Sequence, residues 1–276
     1  MKIERLIESI IKKILKIKPL FGKIIRSAEY NTNKGPYIFL NSDIIGRYIL
    51  KYPEEISKKL YIDQSFDHNL YISSQKFLKK KKYKYLINIG AHVGSTIIPL
   101  LKKNFFEKCI AFEPSFKNFN LLRTNILINN LENKTKLFNI ALSNNKGFSK
   151  LNLNSKFNSG DYVLSDINKK RILTLKLSEK CPCYYDDNLI VQTDILNNYW
   201  DYKFKKNCIL FIDAQGSEYK ILSKGLFFLK EKVPIIMELE PSLIKKKILV
   251  KKIFEKISHY KFFVDLKYET KKKNDF

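Results

Sequence analysis

From Tyr85 onward, short apolar segments alternate with segments of helical spacing, and this alternation limits the fold more than any other feature of the chain. Apolar runs of roughly four to eight residues indicate buried strands, and helices between them indicate parallel neighbours covered on both faces. The sequence therefore predicts the α/β fold class, with a central, mostly parallel sheet flanked by helices. The predicted strands are Tyr85–Ile89, Cys109–Glu113, Lys136–Ile140, Cys208–Asp213, Pro234–Glu240 and, at the end of the domain, Phe262–Leu266; the predicted helices are Ser95–Lys103, Ser115–Asn129, Glu218–Lys230 and Ser242–Ile257.

The alternation also divides the chain into three parts. Residues 1–82 predict an N-terminal helical or irregular extension, which ends in a helix at Asn69–Lys82. Residues 83–268 form the predicted main domain, and residues 269–276 form a polar tail that is expected to fray. Within the main domain, the stretch Phe148–Asp187 has no crossover helix, so we predict an inserted hairpin region there.

Residues 1–18 carry apolar side chains three and four positions apart, with lysines between them. This spacing predicts an amphipathic, basic helix. Such a helix either lies as a peripheral contact on an anionic membrane face, or packs its apolar stripe on the domain or on a second subunit. The sequence leaves both interpretations open. The apolar residues of the stripe are Ile3, Leu6, Ile7, Ile10, Ile11, Ile14 and Leu15.

The chain has 52 lysine and arginine residues against 27 acidic residues, which gives a formal net charge of +25. A field of this size attracts polyanions without specificity. Only five of the basic residues are arginine, although arginine is the better bidentate ligand for phosphate. Lysine, isoleucine and asparagine are abundant together, which indicates a biased composition. We therefore do not expect a nucleic-acid partner.

Cysteines and histidines predict neither a disulfide framework nor a metal site. The four cysteines are few and scattered, and the three histidines have no cysteine pairs at zinc-ligand spacing beside them. No secretory signal and no apolar run long enough for a membrane span is found, so a cytoplasmic location is expected, with a peripheral position at the inner membrane face if residues 1–18 bind lipid. The motifs of nucleotide hydrolysis, serine esterases and zinc proteases are also missing.

The segment Tyr85-Leu-Ile-Asn-Ile-Gly-Ala-His-Val-Gly94 is an apolar strand that ends in a glycine turn and then opens a helix. Such a turn lets a ligand approach the bare backbone, and the helix N-terminus offers free amide donors. Gly90 and Gly94 give G-x-x-x-G, which differs from the dinucleotide motif G-x-G-x-x-G. A tight turn with a purely structural role remains the alternative.

The second predicted strand places Glu113 at its carboxyl end, about twenty residues beyond the glycine turn. In open α/β sheets, ligands bind at the carboxyl ends of the strands, and an acid there can accept hydrogen bonds from the hydroxyls of a ribose. The glycine turn and Glu113 together predict a site for a nucleoside-containing cofactor.

The chain resembles the FkbM family of methyltransferases, which are small class I enzymes with a Rossmann-like sheet and an S-adenosyl-L-methionine cofactor. The resemblance covers about Leu86 to Glu240 and rests on five segments in the family's order. These segments are Asn88-Ile-Gly-Ala-His-Val-Gly94, Phe112-Glu-Pro114, Ile140-Ala-Leu-Ser143, Phe211-Ile-Asp-Ala-Gln-Gly-Ser-Glu218 and Ile236-Met-Glu-Leu-Glu240.

The resemblance implies a function for each part of the cofactor site. The loop after the first strand would pass the methionine part of the cofactor, the acid after the second strand would hold the ribose, and the segment after the third strand would flank the adenine. Three positions depart from the family pattern: Asn88 stands where aspartate is usual, His92 replaces an asparagine, and Phe211 replaces a lysine. The cofactor-binding residues implied in this way are Asn88, Gly90, Ala91, Gly94, Glu113, Ala141, Leu142 and Ser143.

Asp213 and Glu218 are the candidate general bases, since the resemblance implies that the fourth strand ends beside the reaction chamber. A sulfonium methyl group is already activated, so the protein has to align an acceptor oxygen with the carbon–sulfur bond and remove its proton. Glu238 or Glu240 is a second possibility. A carboxylate near the start of a helix, as Glu218 is, also often does no more than cap backbone amides.

The leading hypothesis is an O-methyltransferase that acts on a sugar hydroxyl in a glycan or small metabolite, with a substrate pocket built from residues 27–82 and 148–187. One alternative is a nucleic-acid methyltransferase that uses the basic surface, although the D/N-P-P-Y/F motif of amino-methylating DNA enzymes is not found. Another alternative is a noncatalytic membrane-surface protein that works through residues 1–18 and keeps a vestigial cofactor site.

Overall fold

The computed structural model describes residues 19–65, 67–78, 81–153, 162–165, 189–205, 207–239, 247–261, 263–264 and 266. The amphipathic segment 1–18 and the tail 269–276 lie outside these residues. The strands are β1 (Tyr37–Ser42), β2 (Gly46–Lys51), β3 (Tyr85–Ile89), β4 (Lys108–Phe112), β5 (Thr135–Phe138), β6 (Ala141–Ser143), β7 (Gly147–Leu153), β8 (Tyr162–Ser165), β9 (Leu189–Ile195), β10 (Cys208–Ile212) and β11 (Ile235–Met237). The helices are α1 (residues 19–32), α2 (Glu55–Asp63), α3 (His68–Ser74), α4 (Ile97–Lys102), α5 (Phe116–Ile128), α6 (Glu218–Ser223), α7 (Leu226–Lys230) and α8 (Lys247–Ile257).

The central sheet has the strand order β11-β10-β3-β4-β5, and all of its neighbours are parallel. Its middle strands are apolar on both faces, and every residue of β10 is buried. Helices cover both faces of the sheet. Successive residues of these strands are therefore apolar, and apolar and polar residues do not alternate along them. The predicted α/β fold class with a parallel sheet is confirmed.

A second, mixed sheet follows the central one, with the order β6-β9-β7-β8. Strand β5 ends at Phe138, two residues before the predicted strand end, and the chain then turns at Asn139 into β6. The antiparallel hairpin of β7 and β8 lies in the predicted insertion, and β9 pairs antiparallel with β7 and parallel with β6. The predicted hairpin is therefore present in the described part of the insertion.

The N-terminal extension is more regular than its sequence predicts, because it contains the β1–β2 hairpin between α1 and α2. Asn125 of α5 and Asn129, which directly follows this helix, hold the hairpin: the Asn125 Oδ1 accepts the Ile49 amide at 2.7 Å, and the Asn129 Oδ1 accepts the Arg47 amide at 3.0 Å. Buried apolar residues of the hairpin, of α2 and of α4 belong to one core with one face of the central sheet. The extension thus packs directly on the sheet.

Most predicted elements differ from the structure by a few residues at their ends, and three differ by more. The helix that was expected to reach Lys82 ends at Ser74. The helix expected over Glu218–Lys230 is two helices, α6 and α7, with Gly225 at the junction, where a Cβ atom would lie 2.9 Å from the Leu196 Cδ2 atom. Residues 263, 264 and 266 are not in a strand, so the last predicted strand is wrong for the part that can be described. No helix among the described residues is both long and apolar enough to cross a membrane.

Candidate functional site

The carboxyl ends of four central strands meet at one edge of the sheet. The Gly90 amide, just after β3, donates to the Phe112 carbonyl at the end of β4 at 3.0 Å. The Asp213 amide, just after β10, donates to the Ile89 carbonyl at 2.9 Å, and Glu238 follows β11 in the same way. The glycine turn, the segment after β4 and the acid after β10 are therefore neighbours at this edge.

Gly90 lies so close to β10 that no side chain fits there. Its φ angle is +85°, a left-handed conformation, and a Cβ atom would lie 1.8 Å from the Asp213 carbonyl oxygen. Gly94 also has a left-handed φ angle, of +91°, and a Cβ atom there would lie 2.8 Å from the Ile98 Cδ1 atom and 3.1 Å from the Leu122 Cδ1 atom. Gly90 thus brings the loop against Asp213, whereas Gly94 lets α4 and α5 pack.

The carboxylate of Glu113 joins the glycine turn to the start of α5. Its Oε2 atom accepts the His92 amide at 2.8 Å, and its Oε1 atom accepts the Ser115 amide at 2.8 Å. Burial raises the pKa of Glu113 to about 7, although the bonds from Ser115, His92 and Asn118 act in the opposite direction. The structure therefore brings Glu113 and the turn at Gly90 into direct contact, as the sequence predicts.

Asp213 lies beside this junction, with the acids Glu238, Asp67 and Glu218 near it. Its Oδ1 atom accepts a hydrogen bond from the Gln215 Nε2 atom at 2.7 Å. Burial, followed by the negative charges of Glu238 and Asp67, raises the pKa of Asp213 to about 8. A carboxyl group with such a pKa can exchange protons near neutral pH, which is what a general base requires.

The carboxylate of Glu218, the other predicted base, accepts hydrogen bonds from the turn that precedes α6. Its Oε1 atom accepts the Ala214 amide at 3.3 Å and the Gly216 amide at 3.2 Å, and burial raises its pKa. These bonds stabilise the turn between β10 and α6, in agreement with the capping role that the sequence left open. The geometry therefore favours Asp213 over Glu218 as the base. Of the two acids named as a second possibility, Glu238 directly follows β11, and Glu240 lies outside the described residues.

Asn88, in β3, is 1% exposed, and neither its Nδ2 nor its Oδ1 atom has a hydrogen-bond partner in the protein. Buried amide groups normally have partners, and an unpaired one costs free energy. A bound polar group or water near β3 would satisfy this amide.

The segment predicted to flank the adenine forms β6, beside the acid after β4. The Asn139 Nδ2 atom donates to the Glu113 carbonyl at 2.8 Å and to the Pro114 carbonyl at 3.1 Å, which fixes the turn between β5 and β6. Residues of β6 thus lie next to the end of β4. Ser143 is buried, and its hydroxyl donates to the Asn144 Oδ1 atom at 3.3 Å.

A cavity of about 1240 Å³ opens at this edge of the sheet and runs along β11. Ligand pockets in proteins have volumes of roughly 300 to 1,000 Å³, so a cofactor and an acceptor can both be accommodated. The N-terminal extension contributes a wall through α2 and α3, and Leu151 and Leu164 of the second sheet contribute another. Of the predicted site residues, those that line the cavity are Gly90, Glu113, Ala141, Leu142 and Asp213; those that do not are Asn88, Ala91, Gly94, Ser143 and Glu218.

Asp67 lines the same cavity from the residue before α3, and no sequence motif marks it. A lone aspartate before a short helix reads as an ordinary helix start, and only the packing of α3 against the sheet brings Asp67 near Asp213. Among the residues that the structure describes, no group of three His, Cys, Asp or Glu side chains is arranged to hold a metal ion.

The family model for the methyltransferase FkbM domain matches residues 88–264. No curated protein sequence matches the chain. Among solved structures, the chain is similar to the methyltransferase FkbM from Methylobacillus flagellatus KT, with 12% identity and a TM-score of 0.42 over 74% of this chain and 47% of that chain.

Two further solved structures are similar over different shares of the chain. A SAM-dependent methyltransferase from Leishmania major has 12% identity and a TM-score of 0.32, over 75% of this chain and 68% of that chain. TYW2 from Pyrococcus horikoshii, in complex with MeSAdo, has 17% identity and a TM-score of 0.29, over 41% of this chain and 40% of that chain. The similar region spans about half the length of the Methylobacillus protein.

Proposed function

The chain belongs to the FkbM methyltransferase family, and we propose that it transfers a methyl group from S-adenosylmethionine to a hydroxyl group of a sugar, in a glycan or a small metabolite. The observation that carries this proposal is the contact between Glu113, the turn at Gly90 and Asp213 at the mouth of one cavity. A nucleoside-binding acid and a candidate base then lie at the same edge of the sheet.

The residues at this edge fit the proposed cofactor. Glu113 accepts hydrogen bonds from the His92 and Ser115 amides and from the Asn118 side chain, which leaves one of the roughly four lone pairs of its carboxylate for a ribose hydroxyl. The unpaired amide of Asn88 offers one donor group and one acceptor atom for a polar group near β3. Glu113, Ala141 and Leu142 would hold the adenosine part, and the turn at Gly90 would pass the methionine part.

The cofactor would supply a methyl group on a sulfonium centre, which is already activated for transfer. The protein then has to hold an acceptor hydroxyl in line and accept its proton. Gln215 donates to the Oδ1 atom of Asp213 and so orients this carboxyl group; the Oδ2 atom of Asp213 has no hydrogen-bond partner among the described residues and could receive the proton of the acceptor. Asp213 can accept the proton only when it is ionised, and its pKa of about 8 sets the pH at which that happens.

A substitution of Asp213 by asparagine tests the catalytic assignment. We expect Asp213→Asn to bind S-adenosylmethionine as the parent does but to transfer methyl groups about 100-fold more slowly or worse, because a general base contributes roughly 10²- to 10⁴-fold. The rate of the parent should rise as the pH increases towards about 8, where the carboxyl group becomes ionised. Asp213→Asn should lack this rise.

The assay uses radiolabelled methyl donor and cell extracts fractionated into glycans, lipids and RNA. Asp201→Asn is the matched control, because Asp201 pairs with Lys203 at the surface and does not line the cavity. Label in the glycan or small-metabolite fraction that is lost only in Asp213→Asn supports the proposal. Label that enters RNA instead, or an Asp213→Asn protein as active as the parent, contradicts it.

A further inference from the structure

The outer edge of β11 forms one side of the cavity. Three successive residues of this strand, Ile235, Ile236 and Met237, line the cavity, and the lining continues through Pro234 and Glu238 on either side of them. Successive side chains of a strand point to opposite faces, so a lining that includes three residues in a row follows the edge of the strand. Among the described residues, β11 pairs only with β10. The cavity therefore continues as a groove along the edge of the central sheet.

The walls of this groove are apolar although they are open to solvent. Phe77 after α3, Phe254 of α8, Phe263 and Val264 all line the cavity, and each of them is 38–45% exposed. The rings of Phe254 and Phe263 have centroids 6.0 Å apart. Single exposed apolar residues are ordinary, but several that line one cavity indicate a binding site. We call the surface formed by Phe77, Ile235, Met237, Phe254, Phe263 and Val264 the β11 groove.

The strand order separates the β11 groove from the residues that would hold the adenosine. Glu113 follows β4, which is the third strand from β11 in the order β11-β10-β3-β4. Neighbouring strands lie roughly 5 Å apart, so the proposed adenosine site is roughly 15 Å from β11. Asp213 follows β10 and lies between the two. The cofactor therefore leaves the β11 groove open, on the side of Asp213 where an acceptor would bind.

Charged residues at the cavity do not exclude an apolar ligand from this groove. Lys59, Lys232 and Lys261 line the cavity, and all three are exposed. Lysine packs its methylene stem along apolar surface while its ammonium group stays in water, so these side chains can border an apolar ligand. The tail 269–276 contains three lysines in eight residues and is a poor match for an apolar surface.

We propose that the β11 groove binds an aliphatic chain of the methyl acceptor, so that the acceptor is an amphiphilic glycoside with its reacting hydroxyl at Asp213 and its chain along β11. This inference rests on the proposed methyl transfer and narrows the class of acceptor. The groove and Asp213 belong to one cavity, so a single molecule can contact both. Burial of the chain would add binding free energy that does not depend on the reacting hydroxyl.

The test measures the binding of glycosides to the full-length parent saturated with S-adenosylhomocysteine. The probes are methyl, butyl and octyl glycosides of a panel of monosaccharides, titrated by calorimetry below their micelle concentrations. We expect the dissociation constant to fall by about tenfold or more from the methyl to the octyl glycosides, because each buried methylene strengthens binding. In methyl-transfer assays, KM should fall in the same order while kcat stays almost unchanged.

Two variants, Phe77→Ser and Phe254→Ser, each remove one exposed ring from the β11 groove. Phe227→Ser is the matched control, because Phe227 is a half-exposed phenylalanine of α7 that does not line the cavity. We expect each groove variant to bind octyl glycosides about fivefold more weakly or worse, since the chain loses apolar contact area. Methyl glycosides and S-adenosylhomocysteine should bind to the groove variants as they bind to the parent, and the control should behave as the parent throughout.

Two results would overturn the inference while leaving the proposed function intact: equal dissociation constants for methyl and octyl glycosides in the parent, and groove variants that lose affinity for both kinds of glycoside alike. The first result is expected if the chain's own tail or a second copy of the chain fills the groove. Size-exclusion chromatography of the parent and of a protein without residues 269–276 would distinguish these two occupants. A parent that neither binds S-adenosylhomocysteine nor transfers methyl groups would overturn the proposed function itself.

Discussion

At the scale of single residues, Glu113 links the backbone of two elements with one side chain. The bonds to the His92 and Ser115 amides hold the glycine turn against the start of α5, so the carboxylate has a structural task as well as the proposed contact with ribose. The sequence predicted its position, because an acid at a strand end is visible in the pattern. The structural task was not predictable, since it depends on how two loops pack.

Gly90 provides a test of the geometry that needs no ligand. We expect Gly90→Ala to lower the free energy of unfolding by well over the roughly 1 to 3 kcal/mol of a strained φ angle alone, because the Cβ atom would also lie 1.8 Å from the Asp213 carbonyl oxygen. Denaturant unfolding followed by circular dichroism measures this loss. Gly35→Ala is the control, since its nearest neighbour would be 3.6 Å away; similar stability of the two variants would show that β3 and β10 do not approach as described.

At the scale of elements, the sequence predicted the central sheet better than the extension. The continuous apolar run of β10 and the run of β3, which only Asn88 interrupts, are buried on both faces, so their pattern has a single interpretation. In β1, by contrast, Tyr37 and Phe39 are 54% and 55% exposed while Leu40 is 3% exposed. Four consecutive apolar residues therefore hide the alternation of a half-buried strand, and the hairpin was missed.

Helix α1, which follows residues 1–18, has an apolar face that is exposed to solvent. Leu20, Phe21, Ile24 and Ile25 of α1 are between 45% and 62% exposed. An exposed apolar face that follows a lysine-rich amphipathic segment is typical of helices at a membrane surface. The structure describes no residue of 1–18 itself, so its partner stays a prediction.

Removal of residues 1–18 tests this expectation. We expect the shortened protein to co-sediment several-fold less with vesicles that contain an anionic phospholipid, because it loses both apolar area and lysines. A double variant, Phe21→Ser with Ile24→Ser, should also bind less, whereas Phe227→Ser, which changes an exposed side chain of α7, should not. Equal sedimentation of the shortened protein and the parent would reject the membrane role.

At the scale of the whole molecule, the raised pKa values of Glu113 and Asp213 make the free energy of unfolding depend on pH. The pKa of Glu113 is about 7 and that of Asp213 about 8, both above the values of an unfolded chain. A raised pKa in the folded state stabilises the protein at low pH, and this contribution is lost as the pH rises through the folded-state value. Burial lowers the pKa of His68 to about 4. This histidine therefore lowers the free energy of unfolding only below about pH 6.5, where the unfolded chain binds a proton that the folded protein does not.

The free energy of unfolding should therefore fall as the pH rises from about 6.5 to about 8.5. Denaturant titrations at pH 6.5, 7.5 and 8.5 measure this slope. Asp213→Asn should reduce it, since an amide does not titrate. A free energy of unfolding that rises over this range, or a slope that Asp213→Asn leaves unchanged, would contradict the described burial of Asp213.

We infer that the segments around Gly90 and Glu113 form one adenosyl site, and we would test this claim by calorimetry with S-adenosylmethionine. We expect a single site in the parent and an affinity at least tenfold weaker in Glu113→Ala, because the variant loses hydrogen bonds to a charged acceptor. The Asp201→Asn control should bind as the parent does. No heat at millimolar ligand, or equal affinity of the parent and Glu113→Ala, would contradict the claim.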